Sequence, residues 1–180
     1  MRRLLLSILL TSSVLAWADD VSISSPDGRL VVNVNCKAGR VYYDASLDGE
    51  QMLWPSALGI KTSLGDLTRD LTVQGHKSET GLSKQYTMRG TKASSANYNA
   101  NALTLDLKNK DGISFCIQFQ VSNTDIAFRY LMPRQTVKHR EYKRVRILSE
   151  LSSFNFPEGT TTFISPQIGP ETGWEQTKPS

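Results

Sequence analysis

The residues best suited to contact a ligand are two carboxylates, Glu171 and Glu175, on either side of an aromatic residue, Trp174. Such a group suits sugars, because the C–H face of a sugar stacks on the ring and its hydroxyls bond the polar side chains. The surrounding segment SPQIGPETGWEQTKPS is rich in Pro and Gly, which predicts a loop. A tryptophan that anchors a loop or a domain interface is the better explanation, so we take these three as substrate-facing or interface-facing candidates rather than catalysts.

No other set of residues predicts catalysis. Glycoside hydrolysis needs paired carboxylates, and Glu150 and Glu158 are further candidates whose pairing the sequence does not reveal. His76 and His139 are far apart in polar segments predicted to be loops, which is typical of solvated histidines. The chain has no Gly-x-Ser-x-Gly elbow, Gly-rich phosphate loop, calcium loop or Cys-x-x-Cys pair. We therefore predict no catalytic residue, metal site or cofactor in this chain.

The first eighteen residues have the pattern of a secretory signal peptide. Arg2 and Arg3 precede an apolar run over residues 4–15, and Ala-Trp-Ala at 16–18 fits the cleavage rule. The run is shorter than the roughly 20 apolar residues of a membrane-spanning helix, and no cysteine follows it to accept a lipid. We expect residues 1–18 to be removed, and a mature chain from Asp19 that is exported to the periplasm or secreted, with no later membrane contact.

The charge of the mature chain does not favour nucleic acid. Without the two arginines of the leader, Lys and Arg fall from 21 to 19, against 17 Asp and Glu. The most basic segment, residues 137–148, is interrupted by Glu141 and is short for a polyanion site. We interpret it as a solvated strand face and loop, with Val145 and Ile147 pointing inward.

Alternation of apolar and polar residues predicts an all-β chain of about ten strands. It is clearest at Ile113–Val121, and it is also present at Leu30–Cys36 and Leu103–Leu107. Asp48-Gly49 and Lys110-Asp111-Gly112 are hairpin turns, because glycine supplies the positive φ that such turns need. Frequent turns, short links and almost no amphipathic helix favour an antiparallel sandwich or barrel.

Several segments are less clear. Leu67–Gln74 is predicted as a strand and the polar residues 75–81 as a loop. Residues 148–156 are the only stretch with helical spacing, and residues 160–164 are predicted to form the last strand. Export permits a disulfide between the two cysteines, Cys36 and Cys116, but either could equally be a small buried apolar residue, so the pairing stays open.

Five phrases together resemble the N-terminal domain of glycoside hydrolase family 97. In order they are SPDGRLVVNV, GRVYYDASLDGEQML with PSALGI, FRYLMP, SELSSFNFPEGTTTFISP and GWEQTKPS. The resemblance covers Asp19 to Ser180. It implies an exported bacterial enzyme that acts on α-linked glucose or galactose, often with calcium. It also implies a mutarotase-like β-super-sandwich that packs on a (β/α)8 barrel holding the catalytic carboxylates.

The chain itself shows no alternation of strands and helices, so we expect no barrel in it, and we expect residues 19–180 to stop before the sandwich of the family is complete. The expected function is therefore the non-catalytic N-terminal part of an exported α-glycosidase that degrades carbohydrate. Two alternatives stay open. One is a free-standing sugar-binding or adhesion sandwich. The other is a mutarotase-like enzyme, which would need a general base and acid such as Glu and His on a concave sheet.

Overall fold

The computed structural model describes residues 20–87, 94–137, 140–142 and 144–162. Within these ranges the chain is all-β, without any helix, and therefore without a helix able to cross a bilayer. The strands are β1 (Val21–Ser24), β2 (Leu30–Lys37), β3 (Arg40–Leu47), β4 (Glu50–Leu58), β5 (Ile60–Thr62), β6 (Gly65–Leu67), β7 (Leu71–Thr87), β8 (Ser95–Asn109), β9 (Ser114–Ser122), β10 (Ile126–Leu131), β11 (Gln135–Val137), β12 (Arg140–Tyr142) and β13 (Ile147–Glu150).

Two four-stranded antiparallel sheets face each other as a sandwich. The first sheet has the order β1-β2-β3-β4 and the second the order β10-β9-β8-β7. A smaller sheet, β13-β5-β6, and the pair β11-β12 accompany them. Both large sheets are meanders in which each strand pairs with its neighbour in sequence, because hairpin-length links join most of them. This confirms the antiparallel sandwich predicted from the alternation.

The core lies between the inward faces of the two sheets. Alternate residues of each strand point inward, so β9 buries Phe115, Ile117, Phe119 and Val121 while its intervening side chains face outward. Fully burying a large apolar side chain stabilises the fold by about 1.5–3 kcal/mol. The strands opposite contribute Val32, Val34, Val41, Tyr43, Ala45 and Leu58.

The predicted turn at Asp48-Gly49 joins β3 to β4. Both residues have positive φ, 52° for Asp48 and 84° for Gly49, which is the geometry of a type I′ hairpin turn. Asp48 accepts hydrogen bonds from the Arg29 guanidinium, with Arg29 Nε 2.9 Å from Asp48 Oδ1. The second predicted turn has Gly112 at φ 84° between β8 and β9.

The expectation of a loop over residues 75–81 was wrong, because β7 is continuous over 17 residues. His76 therefore lies on a strand and not in a loop. The polar residues pair with β8, and register shifts between Val73 and Gly75 and between Glu79 and Leu82 absorb the irregularity. The outer edge of β7 has no partner strand among the described residues. The polar composition thus marks a solvated edge strand and not a break in the sheet.

The helical spacing of residues 148–156 was also misleading. Ile147–Glu150 is strand β13, and the following residues run extended beside β4. Ile147 is 52% exposed, so the expectation that it points inward was wrong, whereas Val145 is half-buried. In the predicted last strand, residues 160–162 form no strand, and residues 163–164 lie outside the described ranges.

The two cysteines are not joined by a disulfide. Cys36 packs against the core and its thiol donates to the carbonyl of Leu71 at 3.7 Å. Cys116 alternates with inward-facing residues of β9, so it lies on the outer face, where its thiol donates to Asp106 Oδ1 at 3.0 Å. Burial and the neighbouring Asp106 carboxylate raise the pKa of the Cys116 thiol to about 11. The two thiols therefore belong to different layers of the sandwich.

Gly59, between β4 and β5, provides a test of this packing. A Cβ at this position would lie 2.8 Å from the Thr68 Cα, closer than packed atoms approach without a backbone shift, whereas a Cβ at Gly75 meets nothing within 4 Å. We predict that Gly59→Ala lowers the free energy of unfolding by about 1–3 kcal/mol and that the matched variant Gly75→Ala lowers it by less than about 0.5 kcal/mol. Urea unfolding of the two variants measures this, and equal losses would contradict the close packing of Thr68 against Gly59.

Candidate functional site

Most of the predicted site residues lie outside the part of the chain that the structure describes. Glu171, Trp174, Glu175 and His139 lie outside the described residues, so their candidacy stays a prediction. His76 is exposed on β7, where it stands opposite Leu105 of β8.

The carboxylates predicted as further catalytic candidates have local partners or open surroundings. Glu150 accepts a hydrogen bond from the Ser152 hydroxyl at 2.8 Å, and Glu158 is exposed beside the Pro157-Gly159 turn. The described residues therefore show no pair of facing carboxylates built around these two side chains.

Three other carboxylates have a clear structural role. Hydrogen bonds from the Ser25 hydroxyl, the Arg29 guanidinium and the Thr68 hydroxyl hold the pKa of Asp27, Asp48 and Asp66, respectively, below the ordinary value. A general acid in glycoside hydrolysis needs the opposite shift, a raised pKa that keeps it protonated at neutral pH. These three groups fix turns and strand ends and are unsuited to proton donation.

The conspicuous surface feature is a set of large apolar side chains along β4, β13 and residues 151–156, here called the apolar strip. Each is between 45% and 61% exposed. Soluble proteins seldom expose large apolar groups close together unless they bind something. Its members lie on both faces of this edge, because Trp54 pairs with Asn155 and the flanking Phe154 and Phe156 point the other way. The members of the strip are Met52, Trp54, Ile147, Leu148, Leu151, Phe154 and Phe156.

Backbone hydrogen bonds hold the strip against the first sheet. The nitrogen of Leu151 donates to the carbonyl of Gly59 at 2.8 Å, and that of Ser153 to the carbonyl of Ala57 at 2.9 Å. The nitrogen of Trp54 donates to the carbonyl of Asn155 at 2.8 Å. Residues 151–155 therefore continue the line of β13 along β4, and their outer side is an open edge among the described residues.

Aromatic side chains connect the strip to the core. The Phe154 ring lies 6.4 Å from that of Tyr43 and 6.2 Å from that of Phe128, between centroids. The Tyr43 hydroxyl donates to the carbonyl of Ser153 at 3.1 Å. Burial is the main cause that raises the pKa of Tyr43, to about 12, so this phenol is a donor at all ordinary pH values. Phe154 is nevertheless 56% exposed, so the interior of the sandwich reaches solvent at this point.

A second phenol fixes the same region from the other sheet. Tyr130 accepts a hydrogen bond from the nitrogen of Gly59 at 2.8 Å, and its oxygen lies 2.7 Å from Ser152 Oγ. Burial is the main cause that raises its pKa. Hydrogen bonds from both sheets therefore hold the segment that carries the strip. Sequence reasoning missed it because it noted only the helical spacing of residues 148–156, although the FNF triplet at 154–156 already placed two aromatic rings two residues apart, as on a strand.

The fold is thus an antiparallel sandwich whose most prominent described surface is apolar. Its carboxylates with lowered pKa values, Asp27, Asp48 and Asp66, stabilise turns and strand ends. A profile of the glycosyl-hydrolase 97 N-terminal family matches residues 23–180, so the chain belongs to that family. It forms a non-catalytic N-terminal part, as the resemblance in its motifs predicted.

Similar proteins are considerably longer than this chain. A probable retaining alpha-galactosidase of Streptomyces bingchenggensis (strain BCW-1) is 26% identical over 141 residues, which is 78% of this chain and 20% of that protein. A crystal structure of a beta-arabinopyranosidase is 35% identical, with a TM-score of 0.74 over 86% of this chain and 24% of that one.

The glycoside hydrolase family 97 enzyme of Pseudoalteromonas sp. strain K8, in complex with acarbose, has the same fold at 17% identity, with a TM-score of 0.67 over 77% of this chain and 20% of that one. This chain therefore spans between a fifth and a quarter of the length of these relatives.

The lowered carboxyl pKa values predict acid sensitivity. A group with a lower pKa in the folded state stabilises the fold above its unfolded value, near 3.8 for these residues, and this contribution is lost as pH falls through the folded value. We predict that the urea midpoint decreases when pH is lowered from 5 to about 3, and that Thr68→Val, which removes the donor to Asp66, makes this decrease smaller. Thr72→Val on the exposed side of β7 is the control, and an identical pH profile for both variants would contradict the role of Thr68.

Proposed function

We propose that this chain is the N-terminal sandwich of an exported α-glycosidase and that its apolar strip supports a catalytic (β/α)8 barrel supplied by further polypeptide. Membership of the glycosyl-hydrolase 97 N-terminal family supports the proposal. The relatives, of which this chain spans about a fifth, supply the class of activity: one is a probable alpha-galactosidase, and another has been solved with acarbose and with panose. The substrate of the whole enzyme would then be an α-glucoside or α-galactoside.

One observation carries the proposal, which is the exposure of Phe154. Its ring belongs to the aromatic cluster between the sheets, yet it is 56% exposed. Burying such a side chain is worth about 1.5–3 kcal/mol, so covering it together with its neighbours would bring a large gain. The gain is available to a partner that lies against residues 147–156, whose backbone is already held by hydrogen bonds to the first sheet.

Two further parts of the proposal concern export and calcium. Residues 1–18 would direct export and then be removed, which places the enzyme in the periplasm or outside the cell. The described residues contain no cluster of three or more His, Cys, Asp or Glu side chains suited to a metal ion. Any calcium of the full-length enzyme would therefore find no ready-made ligand cluster among these residues, and no step of the proposal depends on it.

The apolar strip predicts that the isolated chain self-associates. We expect the sedimentation coefficient of the purified chain to rise with concentration, because the uncovered strip finds other copies. Leu148→Lys, at the most exposed position of the strip, should reduce this association. Tyr86→Lys is the matched control, since Tyr86 is 49% exposed on β7, away from the strip. A chain that stays monomeric at all concentrations, or equal effects of the two variants, would count against the strip as an interface.

The absence of chemistry in this part predicts that the purified chain hydrolyses neither 4-nitrophenyl α-glucoside nor 4-nitrophenyl α-galactoside. Release of nitrophenol is the measurement, and turnover that survives repurification would show that the catalytic group lies in this chain.

The DNA downstream of codon 180 provides an independent test. We expect it to continue in frame into alternating strand and helix patterns, whereas a stop codon there would favour a free-standing sugar-binding or adhesion module.

A further inference from the structure

The distal half of the β7–β8 hairpin extends beyond the rest of the second sheet. β9 pairs with β8 only as far as Ala100, whereas the β7–β8 ladder continues to Ser95. This extension, residues 82–87 and 95–99, is here called the arm. A register shift in the ladder and Gly81, at φ 69°, separate the arm from the regular part of the hairpin, which is how a bulge bends a strand.

The arm bends over the outer face of the second sheet. Lys84 of the arm lines the same cavity as Ala127 and Arg129 of β10, the strand at the opposite edge of the sheet. In a flat sheet, three strand spacings would separate β7 from β10 by about 14 Å, which is more than a lysine side chain spans. The Tyr98 hydroxyl of the arm also donates to Gln120 Oε1 on the outer face of β9, at 3.3 Å. The cavity, of about 150 Å³, is therefore a cleft between the arm and the sheet.

The side-chain polar groups that line this cleft and have no partner are all hydrogen-bond donors. Gln118 Oε1 accepts from Arg129 Nε at 2.9 Å, and Gln118 Nε2 donates to Thr104 Oγ1 at 3.1 Å. The amide oxygen of Gln120 accepts from the tyrosine of the arm. Three donors remain without a partner among the described residues, namely the Lys84 ammonium, the terminal nitrogens of Arg129 and the amide nitrogen of Gln120.

Both walls of the cleft carry a cation that no acid neutralises. Lys84 comes from the arm and Arg129 from the sheet, and no carboxylate is among the residues that line the cleft. The acid of β7 closest to Lys84 in sequence, Glu79, is paired with Lys77 at 2.6 Å. Two cations at one cleft repel each other, and an anion between them replaces this repulsion with attraction.

We propose that this cleft binds an oxyanion, the carboxylate or phosphate group of a small ligand. Such a group is negatively charged and only accepts hydrogen bonds, so it matches a lining that offers two positive charges and only donors. The bond from Arg129 Nε to Gln118 fixes the guanidinium plane, and the two remaining nitrogens suit two oxygens of one anion. Neutral sugar hydroxyls must also donate, and they find no unoccupied side-chain acceptor in this lining. The proposal does not depend on the α-glycosidase function.

Titration of the ¹⁵N-labelled chain by NMR, at a protein concentration below self-association, tests the proposal. Glucuronate is the carboxylate probe, inorganic phosphate is the phosphate probe and glucose is the neutral control, with sodium chloride keeping the ionic strength constant. We expect saturable shifts of the Gln120 side-chain amide with glucuronate or phosphate and none with glucose. The anion that saturates at the lower concentration identifies the group that the cleft prefers. No saturable shift with either anion up to about 20 mM, a range that covers even weak binding, would overturn the proposal, as would an equal response to glucose.

Three variants with the same change of charge separate the cleft from the general charge of the surface. Arg129→Gln and Lys84→Gln each remove one cation of the cleft and should weaken anion binding about fivefold or more. Lys108→Gln removes an exposed cation at the other end of β8 and should leave binding unchanged. All three side chains are exposed, so we expect each Tm to stay close to that of the parent chain.

Equal losses of binding in the three variants, or full binding in either cleft variant, would overturn the proposal. These outcomes leave the sedimentation and hydrolysis tests of the apolar strip untouched, so the two proposals fail separately.

Discussion

The packing of Tyr43 against the rings of the opposite sheet is the contact on which the rest of this structure depends. Tyr43 is 1% exposed, and its centroid lies 5.7 Å from those of both Phe119 and Phe128. Aromatic pairs at such distances are worth about 0.5–1.5 kcal/mol beyond the area they bury. The hydroxyl at the far end of the ring reaches the carbonyl of Ser153. One side chain therefore joins the two sheets and also holds the segment that carries the apolar strip.

This arrangement explains how the edge formed by residues 151–155 is exposed and yet held in place by hydrogen bonds. Residues 151–155 have backbone hydrogen bonds to β4 on one side, and the phenols of Tyr43 and Tyr130 fix them from the interior. Large apolar groups on a loosely held segment would collapse onto the nearest surface. On residues 151–155, whose backbone is held by hydrogen bonds, these side chains stay exposed. The conformational entropy of this segment is then already lost before a partner binds.

The sequence predicted those parts of the fold in which the pattern and the burial agree. In β9 the inward residues are Phe and aliphatic and the outward ones are polar, so alternation alone identified the strand and its buried face. The Asp48-Gly49 turn was equally readable, because its positive φ values restrict the residue types. Prediction failed for residues 75–81 of β7, where the strand is stabilised by its ladder to β8 and not by a buried face. The helical spacing noted at residues 148–156 was also misleading, because Ile147–Glu150 pairs with β5 and the residues after it run along β4, so that strand pairing overrides local spacing.

The candidate sites and single buried side chains show a similar division. Glu171, Trp174 and Glu175 were chosen by residue type and stay a prediction, because type alone carries no information on neighbours. The alternation over Leu30–Cys36 puts Asn35 on the outward face of β2, where residues are ordinarily solvated, and nothing in it indicates that this one is 7% exposed.

A weak signal was nevertheless present: asparagine is disfavoured in strands, and β2 places two of them, Asn33 and Asn35, on the same face. Asn35 costs strand stability and also leaves its buried Oδ1 without a hydrogen-bond donor among the described residues, so it lowers the stability of the sheet twice. The exposed rings of the apolar strip depart from the folding optimum as well, because large apolar side chains stay in contact with solvent there, as they do at interfaces that await a partner.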